Sequence, residues 1–423
     1  MGRILLVSNR LPVHAKFNHH SVSVELSSGG LATGLRDAYP QSQRLWIGWP
    51  GELPRMNKVR AAELDETLRG MGAVPVRLNR REVREFYEVV SNGVLWPLFH
   101  YLMDSMPAET RGWDTYRAVN ERFADVVAEQ YRPGDVIWIH DYQLLLLPAM
   151  IRQRLPDAHI GFFLHIPFPS SEVFSALPWR EEILAGMLGA DLIGFHTPFY
   201  LRHFAATLRR VLGLDIEVER LRYDGREVRV GAYPMGIDAV AWNRRASRSE
   251  VLRSAETIRN AQTGNSIIVG IDRLDYTKGI PRRLLAIERL LQEDPSLRGA
   301  VRMIQVTVPS RELVESYDVF RRKVDELVGR INGEFATPNW VPIPAIHRNL
   351  SPTEVAALYR AADVMLVTPL RDGMNLVAKE FVASREDEDG VLVLSEFAGA
   401  AWELGDALLV NPYDIDGLAA NIR

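Results

Sequence analysis

The stretch Ser266-Ile267-Ile268-Val269-Gly270-Ile271-Asp272-Arg273-Leu274-Asp275-Tyr276-Thr277-Lys278-Gly279 decides the fold. A short apolar, β-rich run ends in charged residues, passes through a polar turn and leads into Arg282–Gln292, where apolar residues recur three and four apart. That spacing is an amphipathic helix, with Pro281 in its first turn. A second β-rich run, Val301–Val306, follows. Strand, crossover helix and strand imply a parallel sheet built from βαβ units.

The same alternation extends outward in both directions. The first half supplies Ile4–Ser8, Val136–His140, Ile160–His165, Asp191–His196 and Val228–Pro234 as strands. The second half supplies Ser266–Ile271, Val301–Val306, Val341–Ala345, Val364–Thr368, Val391–Leu394 and Ala407–Val410, with a further amphipathic helix over Leu313–Val328. Eleven strands overfill one doubly wound sheet, and they fall into two groups. The chain is therefore read as α/β with two Rossmann-like domains, and its 423 residues suit that number. The seam lies in Tyr233-Pro234-Met235-Gly236-Ile237-Asp238, giving domains over residues 1–235 and 236–423. The helical pattern of Ile415–Arg423 reaches the last residue without a capping signal, which predicts a natural product that continues further.

Composition excludes several classes. Fifty Lys and Arg against 54 Asp and Glu leave a net charge of -4, so neither nucleic acid nor an anionic membrane is an expected partner. Any anion site must be local. Only Lys16, Lys58, Lys278, Lys323 and Lys379 are lysines, against 45 arginines. The absence of cysteine removes disulfides, thiolate metal sites, Fe–S clusters and a cysteine nucleophile. Ile4–Val7 is too brief for a signal peptide, and no run approaches the ~18 apolar residues of a membrane span. A cytoplasmic location is expected.

Ligands of open α/β sheets bind beyond the carboxyl ends of the strands. The residues there are Asn9 and Arg10, then His140-Asp141-Tyr142, His165, His196-Thr197, Asp272-Arg273, Ser310-Arg311 and Arg371-Asp372-Gly373. One polar residue at a strand end is ordinarily a turn or cap. So many on one predicted rim point to a site. Arg273 and Lys278 beside a helix start suit a diphosphate. In Arg371-Asp372-Gly373-Met374-Asn375-Leu376-Val377-Ala378-Lys379-Glu380, a glycine turn opens a helix with Asn375 near its N-cap. Glu380, about a turn and a half inside, suits both hydroxyls of a ribose. Ser27-Ser28-Gly29-Gly30-Leu31 admits close backbone approach, as ordinary loops also do. Trp96 suits a sugar face or the core, whereas Trp46 and Trp49 read as core. The dinucleotide fingerprint, P-loop, H-E-x-x-H and G-x-S-x-G motifs are all absent.

Six runs in order, Ser8-Asn9-Arg10-Leu11-Pro12, Ser28-Gly29-Gly30-Leu31, Trp138-Ile139-His140-Asp141-Tyr142, Phe162-Phe163-Leu164-His165-Ile166-Pro167-Phe168-Pro169, Asp272 to Gly279 and Leu370 to Leu376, closely resemble the trehalose-6-phosphate synthase family. The resemblance covers nearly the whole chain. It implies a retaining GT-B glycosyltransferase whose two parallel sheets face a central cleft. The implied reaction moves glucose from UDP-glucose to glucose 6-phosphate, giving α,α-trehalose 6-phosphate and UDP. It needs neither metal nor other cofactor, and a homo-oligomer is compatible with it.

By that resemblance Arg10, Tyr87 and Arg311 hold the acceptor phosphate, and Trp96 and Asp141 frame the acceptor sugar. Gly30, His165, Arg273, Lys278, Asp372, Met374, Asn375, Leu376 and Glu380 form the donor site, with Arg273 and Lys278 on the diphosphate, Glu380 on the ribose, and His165 and Asp372 on the glucose hydroxyls. Asp141, His165, Arg273 and Lys278 are the implied catalytic group. The family's same-face attack has the leaving phosphate oxygen accept the acceptor's proton. Glucosylglycerol-phosphate synthases and cyclitol-coupling enzymes share the donor half, so acceptor identity rests on Arg10, Tyr87, Trp96 and Arg311. A non-catalytic sugar-phosphate sensor would have eroded donor residues, yet Arg273, Lys278, Asp372 and Glu380 are all present.

Overall fold

Ten strands fall in the first half of the chain in a computed structural model that describes residues 2–17, 22–26, 43–53, 58–261, 266–310 and 315–423. They are β1 (Ile4–Arg10), β2 (Val13–Phe17), β3 (Val22–Leu26), β4 (Arg44–Trp49), β5 (Ala73–Pro75), β6 (Val136–His140), β7 (His159–Phe163), β8 (Leu192–Phe195), β9 (Arg220–Tyr223) and β10 (Arg226–Ala232). Eight form one sheet in the order β5-β4-β1-β6-β7-β8-β10-β9, and β2 and β3 pair separately and antiparallel. Only the β9·β10 pairing in the large sheet is antiparallel. Leu5, Leu6 and Val7 are fully buried. A strand enclosed on both faces reads as a continuous apolar run, which is why β1 stands out in the sequence.

The second half carries β11 (Ser266–Arg273), β12 (Val301–Val308), β13 (Ala345–Ile346), β14 (Val364–Val367), β15 (Val391–Ser395) and β16 (Leu408–Val410), all parallel, in the order β13-β12-β11-β14-β15-β16. Alternate residues feed two cores. Ile267, Val269 and Ile271 pack on one face with Tyr359 and Phe381, while Ile268 packs on the other with Leu284, Ile287 and Leu291. The two halves form separate compact units, Met1–Pro234 and Met235–Arg423. No helix among the described residues is long and apolar enough to cross a membrane.

Five strands were absent from the sequence reading. β5 is three residues long at one edge, β4 carries the tryptophans that were read only as core, and β2 and β3 stand apart from the sheet. β9 reaches β10 through Asp224-Gly225, both at positive φ (49° and 74°), the conformation of a tight two-residue hairpin. Conversely, the strand read over Val341–Ala345 shrinks to Ala345–Ile346. Pro342 and Pro344 have no N–H to give, so that run joins β12 only by accepting from Met303 N (2.8 Å) and Gln305 N (3.0 Å).

Each sheet has one topological switch point. From β1 the chain builds outward through β4 and β5, then returns to β6 on the other side of β1. From β11 it builds through β12 and β13, then returns to β14. Crevices at such points are where α/β sheets take ligands. The polar residues following β1, β6, β11 and β14 are therefore the ones to resolve.

Candidate functional site

At the end of β1, the Arg10 guanidinium lies over the Trp49 ring, 4.7 Å from its centroid. Trp49 in turn meets Tyr87 at 5.8 Å. Gly51 permits this: it holds φ 98°, and a Cβ there would come within 2.7 Å of Arg10 Nη1. Tyr87 sits in Val83–Leu95, a segment wound as a π-helix, a form that concentrates at functional sites. Asn92 Nδ2 donates to the Tyr87 carbonyl (2.8 Å), and Asn92 Oδ1 accepts from Tyr142 Oη (2.8 Å). Trp96 is 4% exposed, with its ring against His100 and Tyr142. The structure thus brings Arg10 and Tyr87 together and settles Trp96 mainly in the core. Gly30 and Arg311 lie outside the described residues.

Beyond β6, Asp141 has φ 76° and ψ 171°, a conformation that costs a non-glycine residue about 1–3 kcal/mol. It is held there because its N–H donates to Phe163 O (2.8 Å) while its Oδ1 accepts from His165 N (3.2 Å). His165 faces two more histidines. His140 Nδ1 is 3.0 Å from His165 Nε2, and the His196 ring centroid is 5.3 Å away. Burial holds His140 down at about 3. Burial first, then the proximity of His140 and His196, holds His165 well below the usual imidazole range. Both rings are neutral near pH 7.

In the second unit the turn after β11 is tightly specified. Asp275 Oδ1 accepts from Thr277 N (3.0 Å) and Thr277 Oγ1 (2.9 Å), and its Oδ2 accepts from Tyr317 Oη (3.2 Å). Gly279 (φ 68°) then starts the helix Ile280–Glu293, and a Cβ there would meet Thr368 O at 2.3 Å. Leu370 N donates to Thr277 O (2.8 Å), tying the loop after β14 to the turn after β11. Across that tie Lys278 Nζ donates to Asp372 Oδ2 at 2.5 Å, and Asn375 Nδ2 donates to the same oxygen at 3.0 Å. Arg273 is exposed at the rim.

Asn375 caps the helix Leu376–Ser384 at φ 74°, a second strained non-glycine residue, and its buried Oδ1 has no partner among the described residues. Met374 and Leu376 pack into the core. Glu380 is half-buried and accepts from Tyr359 Oη at 3.0 Å. Burial pushes its carboxyl up to about 7, against the opposing pull of Tyr359 and Arg245.

Arg283 escaped the sequence reading. It is fully buried, donating to Asp272 Oδ2 (2.7 Å), Thr368 Oγ1 (3.0 Å), Gln305 Oε1 (3.3 Å) and the Lys278 carbonyl (3.4 Å). An arginine on the apolar face of an otherwise regular amphipathic helix was the available signal. Among the described residues, no group of three or more His, Asp or Glu is placed to hold a metal ion.

Residues 2–423 match glycosyltransferase family 20. The chain is 44% identical to the α,α-trehalose-phosphate synthase [UDP-forming] A of Dictyostelium discoideum over all of its own length and 57% of that protein's. It is 43% identical to the 56 kDa subunit of the corresponding Kluyveromyces lactis synthase, covering all of this chain and 88% of that one. In structure it is similar to an α,α-trehalose-phosphate synthase (UDP-forming) from Burkholderia xenovorans solved in complex with glucose 6-phosphate. There the TM-score is 0.87 at 36% identity, covering 100% of this chain and 91% of that one. The α/β fold of the GT-B class, with two Rossmann-like parallel sheets, is therefore the one expected from the sequence. The chain belongs to glycosyltransferase family 20.

Proposed function

We propose that the chain transfers glucose from UDP-glucose to glucose 6-phosphate, forming α,α-trehalose 6-phosphate and UDP. Residues 1–235 act as the acceptor-binding domain and 236–423 as the nucleotide-sugar domain. The observation that carries the reading is the Lys278, Asp372 and Asn375 constellation at the second sheet's switch point. An ammonium has three donors. One fixes Asp372 for a glucose hydroxyl, which leaves two for diphosphate oxygens. Asn375 Oδ1 offers a buried acceptor, and Glu380 takes the ribose hydroxyls. Arg10 and Tyr87 of the first domain, with Arg311 of the second, receive the acceptor phosphate, and Trp96 and Asp141 frame its sugar.

The step balances without a covalent enzyme intermediate. The bond from the donor's anomeric carbon to the diphosphate breaks with its electron pair leaving on UDP. The acceptor's anomeric hydroxyl oxygen bonds to that carbon from the same face, and its proton passes to the departing phosphate oxygen. Lys278 and Arg273 stabilise the charge that develops there, and a preorganised donor in such a role is worth about 10²–10³ in turnover.

A coupled assay of UDP release, run with glucose 6-phosphate, with glycerol 3-phosphate and without acceptor, tests the reading. Release dependent on glucose 6-phosphate is expected, and Lys278→Ala should lower kcat about 10²–10³-fold with the circular dichroism retained. Folded protein that releases no UDP in response to glucose 6-phosphate refutes it.

A further inference from the structure

His140 is the last residue of β6, fully buried, and is reached by no ligand role assigned above. Its Nδ1 lies 3.0 Å from His165 Nε2. Two neutral imidazoles at that distance share one proton, so exactly two tautomeric arrangements are open. In the first, His140 Nδ1–H donates to His165 Nε2, and His165 carries its proton on Nδ1. In the second, His165 Nε2–H donates to His140 Nδ1, and His140 must then carry its own proton on Nε2.

His140 Nε2 separates them. That atom is buried and has no hydrogen-bond partner among the described residues. The second arrangement would bury an N–H without an acceptor, whereas the first buries only an unused lone pair. Orphaned buried donors are the rarer and costlier fault. The Trp138 ring packed on His140 gives no compensation, because an indole carries a donor and no acceptor. His165 is half-buried, and its Nδ1 has no partner among the described residues.

We infer that His140 is a positioning residue: it donates through Nδ1–H to His165 Nε2 and locks His165 in the Nδ1–H tautomer, which presents a hydrogen-bond donor to an oxygen of the donor sugar. The functional half of this rests on the glucosyl-transfer reading above; the tautomer itself does not. A metal-bound or catalytic imidazole is commonly oriented in the same way, the hydrogen bond on one nitrogen fixing the chemistry of the other.

The tautomer is read directly by ¹⁵N–¹³C correlation spectra of histidine-labelled protein without substrate. His165 should show a protonated Nδ1 and an unprotonated Nε2. His140→Phe should release that preference and lower kcat/KM for UDP-glucose about tenfold. His140→Asn, whose amide N–H stands where Nδ1–H stood, should restore most of both. A wild-type spectrum with His165 protonated on Nε2 overturns the inference, even if His140→Phe fails to fold. So does a folded His140→Phe with unchanged tautomer and kinetics, or a folded His140→Asn as impaired as His140→Phe. A wild-type protein with the expected tautomer but no turnover of UDP-glucose refutes the transfer reading and upholds the lock.

Discussion

Arg283→Met tests whether a buried ion pair braces the loop that carries Lys278. The guanidinium is fully buried and the Asp272 side chain is 3% exposed, at 2.7 Å from it. Methionine keeps an unbranched chain of comparable reach but leaves Asp272 Oδ2, Thr368 Oγ1, Gln305 Oε1 and the Lys278 carbonyl without their donor. Removing one partner of a buried pair costs about 3–5 kcal/mol, because the other charge stays behind uncompensated. In a unit the size of Met235–Arg423, each kcal/mol moves the midpoint by about 2–4 °C, so calorimetry should show a transition lowered by roughly 6–20 °C.

The double variant Arg283→Met/Asp272→Leu discriminates the cause. Replacing both charges by apolar groups removes the stranded carboxylate, and such replacements are often neutral or stabilising. Most of the lost stability should return. Activity should not return with it, because the Lys278 carbonyl still lacks its donor. A single variant within about 1 kcal/mol of wild type would refute the brace, as would a double variant no more stable than the single one.

Glu380 supplies a pH dependence. Its folded value near 7 lies above the ordinary ~4.3 of a glutamate, so between these pH values the folded state binds the extra proton. Stability from this group therefore falls as pH rises from about 4.5 to 7, with the cost of the buried charge fully present above 7. Glu380→Gln should flatten that part of the melting-temperature profile, and an unchanged slope would show that another group titrates there. Since an ionised carboxylate is the better acceptor for two hydroxyls, KM for UDP-glucose should rise as pH falls through about 7 in the wild type. Gly279→Ala places a Cβ 2.3 Å from a backbone oxygen at φ 68°, and should cost at least ~2 kcal/mol in urea unfolding; a loss under ~0.5 kcal/mol would mean the turn can relax.

The parts of the fold that were legible in sequence are those where one physical requirement dominates. Val136–His140 matches β6 at both ends because its first four residues, Val136-Ile137-Trp138-Ile139, form an unbroken apolar run that ends at a polar residue. β9 was hidden because an antiparallel edge strand such as Arg220-Leu221-Arg222-Tyr223 is half polar, although Asp224-Gly225 was a readable turn. Lys278, Asp372 and Asn375 were legible as residues after strands, since strand ends at a switch point are where ligands sit. Their mutual contacts were not, because 94 residues separate Lys278 from Asp372 and only the parallel pairing of β11 with β14 brings them together.

Arg283 was missed, and His140, although named on the rim, was given no role, for a related reason. Each occupies a position where periodicity or strand pattern calls for an apolar side chain, and each has its partner on another element, Asp272 for one and His165 for the other. Some of the departures from local rules fall in the same places. Asp141 and Asn375 hold positive φ without being glycine, and His140 Nε2 and Asn375 Oδ1 are buried without partners among the described residues. Around them the middles of β1 and β11, Leu5–Val7 and Ile267–Ile271, are apolar or glycine, buried and paired in regular register. Residues that break local rules beside a candidate site concede stability there for another requirement. Here that position is the carboxyl end of the strands beside each switch point. A phosphorylated sugar and a nucleotide sugar would have to be held there by fixed dipoles and only a few local cations.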